Sequence, residues 1–145
     1  MKVTVQYNQQ LLKDELLISA CEQSPSLTRI VDFAEKELFY VIGLREKEKV
    51  RIDLKNIQRI YSANKQVFCV ANGHEYQLSE RLYQLQKKLP NSFVQISRTE
   101  IIQIQTVEKF AITKSGIIEI IFTDGQKTSA SRRYLKKVRE VLDHA

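Results

Sequence analysis

Few of the side chains on which most enzyme and metal sites depend are present in this sequence. Its 145 residues include two histidines, two cysteines and four glycines. Cys21 and Cys69 are too few for a disulfide framework or a zinc site, and the scattered glycines form no phosphate-binding loop. The spacing around His74 and His144 matches no catalytic or metal template. The sequence therefore predicts that the protein is not an enzyme and holds no metal and no cofactor.

Long apolar runs are also lacking. No stretch approaches the roughly 20 apolar residues that a membrane-spanning helix needs. The first residues, MKVTVQYNQQ, alternate between apolar and polar side chains, whereas a signal peptide has an apolar block. Together with the two cysteines in unrelated settings, these absences predict a protein of the reducing cytoplasm.

Positive charge is concentrated in the later part of the chain. Hydrophobic residues make up 43% and charged residues 28%, which is ordinary for a globular domain, and the formal net charge is +6. Residues 1–43 carry a net charge of −2, whereas residues 44–145 carry +8. This asymmetry predicts a polyanionic partner, although solubility alone would also account for it.

The beginning of the chain predicts a small ββα-like unit. Residues 3–7 alternate between Val or Tyr and polar side chains, which predicts a strand, and residues 15–20 predict a second one. A Ser-Pro-Ser sequence then interrupts the chain, and its last residue, Ser26, is a candidate helix N-cap. No Gly/Ser/Pro-rich segment follows this unit, so we expect no flexible linker after it. On the basis of the ββα-like pattern, we divide the chain into an N-terminal extension, residues 1–37, and a domain, residues 38–145.

From residue 38 onward the pattern is mostly that of short strands. The Asn72-Gly73 and Asp124-Gly125 pairs each predict a hairpin, because tight hairpin turns need residues that tolerate positive φ angles. One helix is predicted to begin at Ser79 and stop at Pro90, and a last helix is predicted to begin at Ser131 as its N-cap. Ten strands are predicted, at residues 39–43, 49–54, 57–62, 67–71, 75–78, 93–96, 101–105, 109–113, 117–123 and 127–130.

Cationic and amide side chains recur in three connections. Asn64-Lys65-Gln66 and Ser97-Arg98-Thr99 each lie between predicted strands, and Ser131-Arg132-Arg133 opens the last helix, with Lys136 on the same face as Arg133. Each alone is more often a solvated surface than a contact. However, Arg, Asn and Gln can read base edges, whereas Lys, Ser and Thr commonly hold phosphates. Three such segments in a region of net charge +8 favour nucleic acid as the partner.

Several motifs follow one another in a characteristic order between about residues 38 and 142. They are Ile57-Gln58-Arg59-Ile60-Tyr61 with the turn after it, the helix with Leu82, Leu85 and Leu89, the segment 93–102, the Asp124-Gly125 pair and the segment 131–135. This order and spacing resemble the LytTR DNA-binding domain of bacterial transcriptional regulators. The resemblance implies a mostly β fold with few helices, in which about ten short strands form three small sheets. It also implies that loops and turns, and not a recognition helix, enter the grooves of DNA.

Matched position by position, the resemblance assigns roles to particular residues. The base-reading turn falls at residues 64–67, the groove-facing loop at residues 97–99 and the major-groove arginine at Arg133. Ser131 and Lys136 match positions that hold the DNA backbone. The DNA-binding residues that we expect are Asn64, Lys65, Gln66, Ser97, Arg98, Thr99, Ser131, Arg132, Arg133 and Lys136.

The chain departs from the family pattern at two of these places. Ser97 stands where many members of the family have a histidine. The first turn contains no histidine either, so Lys65 or Gln66 is expected to do any base reading there.

Most members of the family carry a phospho-acceptor receiver domain before the DNA-binding domain. The 37 residues of the extension cannot form one. The chain is therefore similar to the stand-alone regulators of the family. That resemblance implies a homodimer on paired repeats of double-stranded DNA and a small membrane protein as a candidate regulator.

The leading interpretation is a sequence-specific DNA-binding transcriptional regulator. One alternative is a protein-interaction module whose basic surface binds an acidic partner. A third interpretation is an enzyme that acts on a phosphorylated substrate, whose sign would be a deep pocket that gathers Arg and His side chains.

Overall fold

The computed structural model describes residues 2–12 and 15–143 as a mostly β protein. Its three α-helices are α1 (Pro25–Leu38), α2 (Leu82–Lys88) and α3 (Leu135–Asp143). All ten strands that the pattern predicted from residue 38 onward are present. They are β1 (Tyr40–Arg45), β2 (Glu48–Asp53), β3 (Ile57–Ala63), β4 (Gln66–Ala71), β5 (His74–Leu78), β6 (Phe93–Ser97), β7 (Glu100–Gln103), β8 (Val107–Ile112), β9 (Ile118–Phe122) and β10 (Lys127–Ala130).

The ten strands form two antiparallel sheets. The larger sheet has seven strands in the order β2-β1-β5-β4-β3-β7-β6, and the smaller has the order β10-β9-β8. The prediction of three small sheets is wrong, because β3 pairs with β7 and thereby joins the strands before and after α2 into one sheet. In this pairing Arg59 lies opposite Ile102, and Tyr61 lies opposite Glu100.

The hairpin turns show why particular residues occupy them. Asn72 and Gly73 have φ angles of 52° and 78°, which confirms the hairpin that this pair predicts between β4 and β5. Asn64 and Lys65 have φ angles of 52° and 63°, so the β3–β4 connection is a two-residue turn of the same kind. Lys65 thus stands where glycine is usually favoured, and its side chain lies at the tip of a hairpin.

Two apolar cores lie on opposite faces of the β6–β7 hairpin. Phe93 and Ile101 belong to the first core, under α2, whereas Val94 and Ile102 belong to the second, under α3. Adjacent residues of a strand point to opposite faces, so this hairpin takes part in both cores. The other buried residues of the first core include Ile52, Leu54, Ile57, Ile60, Val67, Cys69, Leu78 and Leu85. Those of the second include Ile96, Ile104, Ile118, Ile120, Phe122 and Val138.

The N-terminal extension differs from its prediction. Neither residues 3–7 nor residues 15–20 form a strand, so of the ββα-like unit only the helix is present. Val3 and Tyr7 are 77% and 95% exposed. A strand needs a neighbouring strand to bond its backbone, and within residues 2–12 and 15–143 none lies beside these segments. The division of the chain at residue 37 stays a prediction.

Helix α1 is tied to the rest of the chain at its C-terminal end. Its N-cap is Ser24 and not the predicted Ser26, because the backbone N–H of Leu27 donates to the Ser24 hydroxyl at 3.1 Å while Pro25 takes the first helical position. Lys36 is buried and pairs with Asp32 at 2.8 Å. Phe39 directly follows α1, and its carbonyl accepts a hydrogen bond from the backbone N–H of Leu54 at 3.4 Å, which connects the end of the helix to the segment before β3.

Helices α2 and α3 begin later than the sequence pattern predicted. Helix α2 follows Arg81, whose backbone N–H donates to the side-chain carbonyl of Gln84 at 2.8 Å, so Ser79 does not cap it. The hydroxyl of Ser131 caps nothing, because a 3₁₀ turn, Arg132–Tyr134, intervenes before α3. None of the helices described is long and apolar enough to cross a bilayer.

Candidate nucleic-acid interface

The three predicted segments are connected by main-chain hydrogen bonds outside the regular sheet ladders. The backbone N–H of Ser62, two residues before Asn64, donates to the carbonyl of Thr99 at 2.8 Å. The backbone N–H of Ser131 donates to the carbonyl of Ile96, the residue before Ser97, at 2.9 Å. The β6–β7 turn therefore lies between the other two segments and holds both of them in place.

The β6–β7 turn presents two hydroxyls and one arginine. Ser97 lies opposite Glu100 in the strand pairing, so Arg98 and Thr99 form a two-residue connection. The Ser97 hydroxyl accepts a hydrogen bond from the backbone N–H of Thr99 at 3.2 Å and lies 3.5 Å from the Thr99 hydroxyl. This local bond fixes the turn and leaves the Arg98 side chain exposed.

Two shallow depressions adjoin this turn, and Arg98 lines both. The first depression lies between the β6–β7 turn and the 3₁₀ turn before α3; it is lined by Ser97, Arg98, Thr99, Ser131, Arg133 and Tyr134. The second lies between the β3–β4 hairpin, α2 and β6; it is lined by Ser62, Lys65, Val67, Arg81, Leu82, Tyr83, Gln86, Gln95 and Arg98. The structure thus brings together Lys65, Ser97, Arg98, Thr99, Ser131 and Arg133.

Four predicted residues line neither depression. Asn64 and Gln66 are exposed at the tip and base of the β3–β4 hairpin, and Lys136 is exposed on the first turn of α3. The guanidinium of Arg132 donates to the backbone carbonyl of Ser115 in the β8–β9 connection. Arg132 therefore has a partner inside the molecule, whereas the neighbouring Arg133 points to the first depression.

Comparison with known proteins identifies the fold and the family. A family profile described as the LytTr DNA-binding domain matches residues 47–143. An HTH-type transcriptional regulator of Staphylococcus aureus strain NCTC 8325, itself described as uncharacterized, is 33% identical over 102 residues, which are 70% of this chain and 69% of the relative. The chain belongs to the LytTR family. The resemblance seen in the sequence is confirmed.

Two further similarities agree with this assignment to the LytTR family. The corresponding S. aureus regulator of strain MRSA252 is 32% identical over the same length, 70% of this chain and 69% of the relative. A solved LytTr DNA-binding domain, assigned to a methyl-accepting/DNA response regulator from Bacillus cereus, has a TM-score of 0.68. It covers 71% of this chain and 95% of its own at 14% identity, so it shows a shared fold.

The helices of this LytTR chain are not arranged as the relatives' designation, HTH-type, would suggest. A helix-turn-helix needs two consecutive helices joined by a short turn. Here β1 to β5 separate α1 from α2, and β6 to β10 separate α2 from α3. The described residues therefore contain no helix-turn-helix.

The carboxylate that directly follows the β6–β7 turn is neutralised. Glu100 directly follows the β6–β7 turn and pairs with Arg59 at 3.1 Å. Its other oxygen accepts a hydrogen bond from the Thr128 hydroxyl at 2.8 Å. Since like charges repel at short range, an unpaired carboxylate here would oppose an approaching phosphate, and this pairing reduces that repulsion.

Aromatic packing supports the strand that leads to the first turn. Tyr61 stacks on Phe68 across the β3–β4 hairpin with ring centroids 5.6 Å apart, and the Arg59 guanidinium lies 5.0 Å from the Tyr61 ring.

Burial, with a hydrogen bond to the Glu75 carboxylate, raises the pKa of Tyr61 to about 12. Burial also raises the pKa of the Cys69 thiol to about 12. Both groups are therefore neutral at physiological pH, and the hairpin gains no negative charge from them.

Sequence reasoning missed one cation at this surface. Arg81 lines the second depression with Lys65 and Arg98 but belongs to none of the three predicted segments. The only sequence signal was its place in the connection before α2, where it follows Ser79 and Glu80. That signal is weak, because a single charged residue in a loop is usually solvated.

Proposed function

We propose that this chain is a sequence-specific, DNA-binding transcriptional regulator. In this proposal the β3–β4 turn, the β6–β7 turn and the 3₁₀ turn before α3, which main-chain hydrogen bonds connect, enter the grooves of double-stranded DNA. The observation that carries the proposal is the convergence of Lys65, Arg98 and Arg133 on two depressions that share one turn. The net charge of +8 over residues 44–145 supplies attraction for the phosphate backbone. Membership of the LytTR family supports the same partner.

Selection from random duplexes tests the proposed function. The protein is incubated with a duplex library at about 50 and 150 mM salt, and the bound fraction is amplified and sequenced over several rounds. A shared motif that becomes sharper at the higher salt supports the regulator, because base contacts persist when phosphate contacts weaken. Retention without any shared motif favours the alternative, a module whose basic surface binds an acidic protein.

Arg133 and Lys136 are expected to contribute in different ways. The planar fork of Arg133 can pair with the O6 and N7 atoms of guanine, so Arg133→Ala should cost about 1–3 kcal/mol on the selected site and flatten the preference at one base pair. Lys136 presents a point charge suited to phosphate, so Lys136→Ala should weaken all duplexes alike and reduce the salt slope by about one. Fluorescence anisotropy with the selected duplex and a scrambled one measures both effects.

Lys49→Ala serves as the control for these two substitutions. Lys49 is exposed on β2, at the opposite edge of the larger sheet from β6, and its loss removes the same charge. It should change the affinity for either duplex by only a few tenths of a kcal/mol. If Arg133→Ala weakens the selected and scrambled duplexes equally, the assignment of base reading to Arg133 is wrong.

We also propose that the protein binds paired repeats as a homodimer and that the N-terminal extension takes part. Residues 2–12 and 15–23 expose apolar side chains on a segment that has no neighbouring strand within the described chain. Such a segment is suited to contact a second copy. Control by a small membrane protein, and action in the cytoplasm, remain proposals that rest on the family.

Deletion of residues 1–22 tests the role of the extension while leaving Ser24 and α1 in place. The shortened protein should bind a duplex with one site as well as the full chain does. On a duplex with two repeats its binding should lose cooperativity, because the contact between copies is gone. Equal cooperativity with and without residues 1–22 would remove this segment from the proposal.

A further inference from the structure

The second depression gathers positive charge from three separate parts of the chain. Lys65 comes from the β3–β4 hairpin, Arg98 from the β6–β7 turn and Arg81 from the residue before α2. No Asp or Glu is among the described residues that line it. Cations that lie close together without a counterion repel one another. An anion that binds between them relieves this repulsion, so the second depression is suited to bind an anion.

The acid next to Arg81 in sequence does not neutralise it. The carboxylate of Glu80 is paired with the ammonium group of Lys88, one helix length away on α2. Arg81 itself forms no salt bridge with any residue that the structure describes, and it is exposed. Its guanidinium is therefore available to an external partner.

The backbone of Arg81 is held independently of its side chain. Its N–H donates to the side-chain carbonyl of Gln84 at 2.8 Å, and its carbonyl accepts from the backbone N–H of Leu85 at 3.1 Å. Leu85 is buried in the first core. The start of α2 is thus fixed relative to the two turns, and replacing the Arg81 side chain leaves these backbone bonds in place.

We infer that Arg81 binds a phosphate of the DNA backbone, so that bound DNA extends from the first depression across Arg98 to the start of α2. This inference rests on the proposed function and adds a fourth contact to the three predicted segments. A phosphate contact orients the protein on the duplex and carries no sequence information. Arg81 therefore sets affinity and register, while the turns read the sequence.

The test compares Arg81→Ala with Lys87→Ala. Lys87 lies on α2, which follows Arg81, is exposed and lines neither depression, so it controls for the loss of one positive charge. Affinity for the selected duplex and for a scrambled duplex is measured between about 50 and 200 mM salt. Arg81→Ala should weaken both duplexes about tenfold, as expected for one charge-assisted hydrogen bond, and make the salt slope shallower by about one. Lys87→Ala should change either affinity by less than about twofold.

Arg81→Lys separates charge from folding. A lysine retains the positive charge that a phosphate needs, so this variant should recover most of the affinity on both duplexes. The melting temperature of each variant should match that of the unaltered protein, since the backbone hydrogen bonds at the start of α2 are unchanged.

The outcomes distinguish this inference from the function on which it rests. If the unaltered protein binds DNA with a sequence preference but Arg81→Ala behaves like Lys87→Ala, the inference fails and the proposed function stands. If Arg81→Ala weakens only the selected duplex, Arg81 reads a base and the inference is again wrong. If the unaltered protein binds neither duplex, the proposed function fails, and the inference fails with it.

Discussion

Raising the salt concentration from 50 to 200 mM is expected to weaken binding of the selected duplex by about 500-fold. Each phosphate that a cation neutralises releases condensed counterions, so log K falls with log salt by roughly 0.9 per phosphate contact. We expect about five such contacts, and hence a slope of about −4 to −5. The observation behind this expectation is the net charge of +8 over residues 44–145.

Anisotropy titrations of a labelled duplex at four or five salt concentrations give this slope directly. The control is the melting temperature of the protein over the same salt range, because a loss of folding at either end would imitate a loss of binding. A scrambled duplex should give a similar slope at lower affinity, since phosphate contacts do not depend on sequence. A slope near zero would mean that the basic surface does not meet DNA, and it would remove the proposed function.

Most of the β architecture was predictable from local sequence. The ten strands from residue 38 onward are short and bounded by turn signals, and pairs such as Asn72-Gly73 carry their own conformational requirement. The number of sheets was not predictable in this way. It depends on the pairing of β3 with β7, in which Arg59 meets Ile102 across a large sequence separation. No residue of either strand signals which partner it will choose.

The prediction of two N-terminal strands was wrong because it also depended on a pairing partner that local sequence does not reveal. Residues 3–7 have the alternation of a strand, but alternation describes only how a strand would present its two faces. A strand also needs an edge to pair with, and none lies beside this segment in the described chain. The pattern was therefore a statement about propensity, which tertiary context overrides.

The candidate site likewise contains residues that local sequence could indicate and residues that only the fold brings together. Lys65, Arg98 and Arg133 could be named from turns and from the family resemblance, because each belongs to a recognisable local motif. Arg81 could not, because its place beside Lys65 and Arg98 exists only once α2 packs on the large sheet. The hydrogen bond from Arg132 to Ser115 was also invisible, since it joins two connections that only the fold brings together.

The second large effect is expected from Gln103, a buried polar residue at the end of β7. Its side-chain amide donates to the backbone carbonyls of Ile57 and Leu54, at the start of β3 and in the 3₁₀ turn before it. At the other end of the same strand pair, the Ser62 N–H donates to the Thr99 carbonyl beside the two turns. Gln103 thus fastens the end of the β3–β7 pair that lies away from the proposed DNA surface.

Gln103→Leu is expected to lower the free energy of unfolding by about 1–3 kcal/mol. Leucine fills a similar volume but donates no hydrogen bond, so the Ile57 carbonyl loses its side-chain donor, at about 1–3 kcal/mol. The Leu54 carbonyl still accepts from the backbone N–H of Ile57 and adds little to this cost. For a domain of this size the melting temperature should fall by about 3–9 °C. Urea and thermal unfolding followed by circular dichroism measure both quantities.

Gln105→Leu is the matched control, because Gln105 is exposed in the next turn and the chemical change is identical. It should alter the free energy of unfolding by no more than about 0.5 kcal/mol. Well below its melting temperature, the Gln103→Leu protein should still bind the selected duplex normally, since the Ser62–Thr99 bond and the turns are intact. A Gln103→Leu protein as stable as the Gln105→Leu control would show that the amide does not hold the start of β3. A stable variant with weakened DNA binding would instead mean that the two ends of the β3–β7 pair are coupled.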